Sequence, residues 1–177
     1  NGNILLIIGL LITKTLESIA VQLLDYDFEV LIVNDASNYS YDKEVSRFSK
    51  FFDIRELVLE ENGGPGVARR KGLEDTNSEY VVFIDSDDYF YSSYSLAILL
   101  DNIIHYDSDL LISNFIYERD NERKIMIEDM VFLHGKIYRR KFLDDNNITF
   151  NDTRANEDNG FNRLILLLDA KVTFIDE

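Results

Sequence analysis

The chain has 177 residues, 46% of them apolar, which suits one ordinary domain with a real core and excludes disorder of its bulk. Lysine and arginine number 18 against 33 acidic residues, and the net charge of −15 excludes a nucleic-acid backbone as main partner and simple docking on an anionic membrane. The chain has no cysteine, which excludes a disulfide framework and a thiolate metal site and fits a reducing compartment.

The opening NILLIIGLLI is shorter than the roughly 18 apolar residues of a membrane span and lacks the basic flank of a secretory leader. Ile4–Ile8 is therefore predicted as a buried strand running into a loop. Leu16, Ile19, Ala20 and Leu23 recur at helical spacing. FEVLIV, Phe28–Val33, reads as a second strand ending at Asn34-Asp35-Ala36-Ser37, and Lys43–Phe51 as a second helix. Ile54–Leu59 is a short strand before the turn ENGGPG, and Pro65 fits the first position of a helix, where its missing N–H costs nothing. Tyr80–Ile84 is the next strand; Leu96, Leu99, Leu100 and Ile103 mark an amphipathic helix; Leu110–Ser113 is a further strand. YERDNERKIMI reads as a polar hairpin and KIYRRKFLDDNNI as a short helix ending in a loop. Phe161, Leu164, Ile165 and Leu168 mark a last helix from Glu157 on, and Val172–Ile175 a closing strand.

Strands alternating with helices predict an α/β fold: a mainly parallel, Rossmann-like sheet with helices on both faces, in a single domain. Ligands of such sheets bind beyond the carboxyl ends of the strands. Three polar clusters sit at such ends: Asn34-Asp35, Asn62-Gly63-Gly64 and Asp85-Ser86-Asp87-Asp88.

Asp85 and Asp87, two apart where a strand gives way to a turn, can both address one ligand. Held together they repel one another, and a bound Mg²⁺ or Mn²⁺ removes the conflict. The alternative is an aspartate-rich turn that caps the next helix. In NGGPGVARR the glycines allow close backbone approach, and a helix N-terminus beside Arg69 and Arg70 attracts anions; otherwise it is a tight turn before a solvated basic face. Asp35 is either an acceptor for a ribose hydroxyl or base N–H, or the residue of an Asx-turn. Glu157 and Asp158 either complement a helix dipole or supply a general base for a sugar hydroxyl. His134 stands in FLHGKIYRR. The basic group Lys136, Arg139, Arg140 and Lys141 there either holds a diphosphate or an acceptor, or is a solvated helix face.

The order FEVLIVNDAS, ENGGPGVARRKGLEDTNSEYVVFIDSDDYF and NEDNGFN resembles the family 2 glycosyltransferases of GT-A fold, over about residues 15–169. The resemblance implies residues 1–114 as a nucleotide-binding half and 115–177 as an acceptor-side half. It implies Asp35 at the nucleotide base, Arg69 near the nucleotide or its phosphates, Asp85 near the ribose and Asp87 on a metal bridging the diphosphate. It further implies Asp158 as catalytic base in an inverting, single-displacement transfer. The residues themselves add Lys136 as a further group at the diphosphate, with Glu157 and His134 as secondary candidates. The expected donor is a nucleoside-diphosphate sugar, UDP-linked, and the expected cofactor Mn²⁺ or Mg²⁺. The expected acceptor is a hydroxyl of a glycan, a lipid-linked molecule or a protein, at a cytoplasmic or membrane-peripheral location. The family's P-x-Y-N-like loop after the first strand has no counterpart in LLIIGLLITKTLESI: either the chain lacks it or residues are missing between Ile8 and Thr15. The chain is expected to be a catalytic fragment or a minimal enzyme. An inactive nucleotide-sugar-binding module and a metal-dependent nucleotidyltransferase are the competing readings.

Overall fold

A computed structural model describes residues 4–8 and 12–177. The expected abrupt passage from first strand to first helix falls partly on residues 9–11 and so lies outside the described residues. Strands β1 (Ile4–Ile8), β2 (Phe28–Asn34), β3 (Asp53–Val58) and β4 (Tyr80–Phe83) pair in parallel in the order β3-β2-β1-β4. The helices between them are α1 (Thr13–Ala20), α2 (Asp42–Phe48) and α3 (Pro65–Glu74). Helix α4 (Ser95–His105) leads to β5 (Leu110–Ser113), and β6 (Phe115–Arg119) and β7 (Glu122–Met126) form a separate hairpin. Then come β8 (Lys136–Arg139), α5 (Arg140–Asp145), α6 (Glu157–Leu167) and β9 (Val172–Ile175), and the sheet closes in the order β4-β8-β5-β9.

Strands buried on both faces carry continuous apolar runs rather than alternation. Val30 and Ile32 of β2 enter one core cluster, with Leu16, Ile19, Leu96 and Leu100 of the helices. Leu31 and Val33 enter the other, with Leu73, Leu143, Phe161 and Ile165. The two clusters place α1, α2 and α4 on one face of the sheet and α3, α5 and α6 on the other, as the alternation of elements predicts.

The main departure is β8. The expected helix over KIYRRKFLDDNNI begins only at Arg140; Lys136–Arg139 is a strand, antiparallel to both neighbours, between β4 and β5. Ile137 packs into one cluster and Tyr138 into the other. The anticipated solvated basic helix face is thus wrong at Lys136, which is wholly buried. Helix ends also differ. Leu23 and Phe51 lie beyond the ends of α1 and α2 and are exposed, as are Leu164 and Leu168. Strands β8 and β9, from residues beyond 115, complete the same sheet as β1–β5.

Candidate active site

β4 is buried along its whole length, and the chain leaves the sheet at Ile84 into the turn Asp85–Asp88. The Asp88 N–H donates to the Asp85 carbonyl, 3.0 Å, which closes the turn. Buried Thr15 of α1 holds it from below: its hydroxyl lies 2.9 Å from the Ser86 carbonyl and 2.6 Å from that of Asp88. Ser18, one turn on, accepts the Phe90 N–H at 3.1 Å. The carboxylates therefore sit on a turn fixed by backbone bonds to a core helix.

Arg69 ties this turn to the far side of the site. Its guanidinium donates to Asp85 at 2.7 Å and to Glu157 at 2.7 Å, and Asp158 Oδ1 lies 3.8 Å away. Burial pulls the guanidinium's pKa down, but Asp85, Asp158 and Glu157 together outweigh it and raise the value above the ordinary one. An aromatic group lies beneath. Phe150 and Phe161 stack with ring centres 4.0 Å apart, Phe83 meets both edge-on, and Arg69 sits over Phe150. Such a floor excludes water and strengthens the charge pairs above it. The Asp158 carboxyl is raised above the ordinary value by burial first and then by the adjacent Glu157 carboxyl, with Arg69 acting against them.

Asp85, Asp88 and His134 converge: one ligand atom from each can lie within 4.8 Å of the others. His134 Nδ1 is 3.2 Å from Asp88 Oδ2. Burial raises the Asp88 pKa; His134 lowers it, and Asp85 and Asp87 raise it further. Two hard carboxylate oxygens and an imidazole nitrogen, all partly open to solvent, suit Mn²⁺ or Mg²⁺ in chemical type. Asp87, the residue expected to bind the metal, is exposed and is not among these three.

The other expected site residues fall as follows. Asp35 accepts from the Gly63 and Gly64 N–H groups, one on each carboxylate oxygen, both at 2.8 Å, and so fastens the glycine loop to the end of β2. The side-chain bond that shapes this turn comes from Asn34, whose Oδ1 accepts the N–H of Ser37, three residues on, at 2.8 Å. Lys136 is wholly buried. Its ammonium lies 3.6 Å from Asp129, and burial lowers its pKa to about 8 in spite of that partner. A lysine without exposed surface offers nothing to a diphosphate in this conformation; it steadies the loop before His134.

Sequence reasoning missed Thr15 and Asn162. Asn162 is wholly buried on α6; it accepts the Tyr138 hydroxyl at 2.8 Å and donates to the Val131 and Phe132 carbonyls at 3.0 and 2.9 Å. It thereby anchors the loop that delivers His134. The available signal was an amide between Phe161 and the apolar positions that follow it, where a core helix has no use for one unless it has partners.

Comparison with known proteins gives the family and the fold. The family model described as glycosyl transferase family 2 matches residues 9–156. Glycosyltransferase GlyA of Streptococcus pneumoniae is 26% identical over 194 residues, covering 93% of this chain and 27% of that protein. Poly(ribitol-phosphate) beta-N-acetylglucosaminyltransferase TarS of Staphylococcus aureus is 30% identical over 157 residues, covering 78% of this chain and 27% of that protein. The crystal structure of TarS residues 1–349 in complex with UDP superposes with a TM-score of 0.82 at 25% identity, covering all (100%) of this chain and 58% of that one. The chain thus spans about a quarter of the length of these two curated relatives. A mainly parallel sheet bearing these motifs in this order, matched over most of its length, places the chain in glycosyl transferase family 2, with the GT-A fold.

Proposed function

We propose that the chain is the catalytic domain of an inverting glycosyltransferase, residues 1–114 serving the nucleotide and 115–177 the acceptor. It moves a sugar from a UDP-linked donor to a hydroxyl acceptor with Mn²⁺ or Mg²⁺. One observation carries the reading: Arg69 spans Asp85 and Glu157 at 2.7 Å each, so the metal-seat turn and the helix bearing Asp158 are parts of one site. The UDP bound by TarS, and the sugar in that protein's name, support a UDP-linked donor.

In the proposed reaction Asp158 accepts the proton of the acceptor hydroxyl. The hydroxyl oxygen forms its bond to the anomeric carbon on the face opposite the diphosphate, and the bond from that carbon to the diphosphate oxygen breaks with its electron pair. Burial and the neighbouring Glu157 make Asp158 a stronger base than a free carboxylate, while Arg69 holds it in place. Asp85, Asp88 and His134 would hold the cation, and Asp87 stands exposed on the same turn as a further carboxylate for it. When bound, the ion offsets the charge that develops on the leaving nucleoside diphosphate. Asp35 keeps the Gly63–Gly64 loop at the end of β2, where the resemblance puts the nucleotide base.

The test is a panel of nucleotide sugars with and without Mn²⁺, read as nucleoside diphosphate release. Metal-dependent release is expected, and Asp158→Asn should lower it by at least ~10²-fold while UDP affinity stays within error. Metal-dependent binding without turnover would favour a binding module, and formation of a nucleoside triphosphate from the nucleotide sugar and added pyrophosphate would favour a nucleotidyltransferase; either sinks the reading.

A further inference from the structure

Gly66 is the second residue of α3 and lacks the positive φ that makes glycine necessary at Gly64. Alanine there would favour the helix by roughly 1 kcal/mol. The reason for glycine lies in what passes over it. A methyl group at Gly66 would lie 2.4 Å from the Asn151 carbonyl oxygen, 3.3 Å from that of Thr153 and 3.4 Å from Glu157 Cβ. All three belong to one strap, residues 151–157, which crosses the start of α3 and becomes α6 at Glu157. Asp158 is the next residue.

Ahead of Glu157, which Arg69 holds at 2.7 Å, the strap has little else to hold it down. Residues 151–156 are all exposed, so no core packing fixes their height above α3. Arg70 pairs with Asp152, and Arg154 donates to the Asn62 side-chain and main-chain oxygens, both at 3.1 Å. These tethers limit sideways movement; closeness of approach is set where the two backbones meet at Gly66.

We infer that Gly66 is a positioning residue, whose missing side chain lets the strap seat on α3 and so fixes where Asp158 stands. The inference rests on the reading of Asp158 as the base. A displacement of about 1 Å at a reacting group costs up to ~10²-fold in rate. The 2.4 Å approach means that any side chain must lift the strap.

The experiment compares Gly66→Ala with Gly160→Ala, whose added methyl would meet only the Asn151 side-chain nitrogen at 3.5 Å, an ordinary contact. Amide hydrogen exchange over 151–158 should quicken in Gly66→Ala and not in Gly160→Ala. UDP release from UDP-N-acetylglucosamine with Mn²⁺ and water as acceptor should show kcat lowered ~10–100-fold in Gly66→Ala, with KM nearly unchanged. Unchanged exchange and unchanged kcat in Gly66→Ala would overturn the inference, as would a loss expressed in KM alone. Wild-type protein without turnover would sink the enzymatic reading instead, and exchange would still decide the seat. Should Gly66→Ala fail to fold, Arg154→Ala carries the test. It removes the sideways bonds to Asn62 and leaves the seat at Gly66 intact, so kcat should stay within ~2-fold of wild type; a loss of ~10-fold or more would give the placing of Asp158 to the tethers and overturn the inference.

Discussion

Asp158 and Glu157 are neighbours in sequence with different tasks. Glu157 is buried and gives its charge to Arg69, whereas Asp158 is partly open and stands 3.8 Å from the same guanidinium. One cation thus serves three carboxylates, counting Asp85, and the least well paired is the one proposed to take the proton. An acid with a raised pKa stays protonated to higher pH, so the acid limb of the rate profile should lie above the range of a free aspartate. Burial is the largest cause and Glu157 the next. Glu157→Gln removes the neighbouring negative charge and keeps an oxygen for Arg69. The Asp158 pKa should then fall, and the acid limb of nucleoside diphosphate release should move to lower pH, read from profiles normalised to their plateaus. A limb that stays in place, or moves up, would assign it to another group. The pair was legible in NED as a base or as dipole partners; the division of labour was not, because it depends on an arginine 88 residues away.

At the scale of elements, continuous apolar runs declared β1, β2, β4 and β5, and Pro65 declared the start of α3. The strand β8 stayed hidden because a cation begins and ends its four residues, leaving only Ile137 and Tyr138 to show a period. Its insertion sets β4 beside an antiparallel neighbour and brings His134, two residues before it, to Asp88. No spacing rule could pair residues 46 apart; the topology does. The turn bearing Asp85–Asp88 was recognisable by composition, but its support from α1 was not, since a threonine in a helical pattern is unremarkable until its partners are known. Thr15→Val keeps the shape and removes the hydroxyl that faces two carbonyls. It should cost about 1–3 kcal/mol of stability, measured by urea unfolding. It should also weaken Mn²⁺-dependent UDP binding, because the turn that holds Asp85 and Asp88 loses its floor. A stability loss with unchanged metal-dependent affinity would show that the turn keeps its geometry without α1.

For the whole molecule, the net charge of −15 bears on an anionic ligand from every side. The nearest cations in the site are already committed: Arg69 to carboxylates, Lys136 to Asp129 beneath the surface. A diphosphate approaching without a metal therefore meets net repulsion. Salt screens such repulsion, with a Debye length of about 30 Å at 0.01 M and about 10 Å at 0.1 M. Metal-free UDP affinity should accordingly strengthen, modestly, as potassium chloride is raised from about 10 to about 100 mM. That sign is opposite to the one shown by proteins that hold phosphates with basic patches, where salt weakens binding. With saturating Mn²⁺ the local charge is offset at the seat of Asp85, Asp88 and His134, and the salt dependence should flatten or reverse. Calorimetric titrations of UDP at the two salt concentrations, each with and without Mn²⁺, give the four affinities needed. If metal-free binding instead falls with salt, an uncommitted basic group is contacting the diphosphate. The exposed Arg154 beside the Gly63–Gly64 loop would then be the first residue to remove.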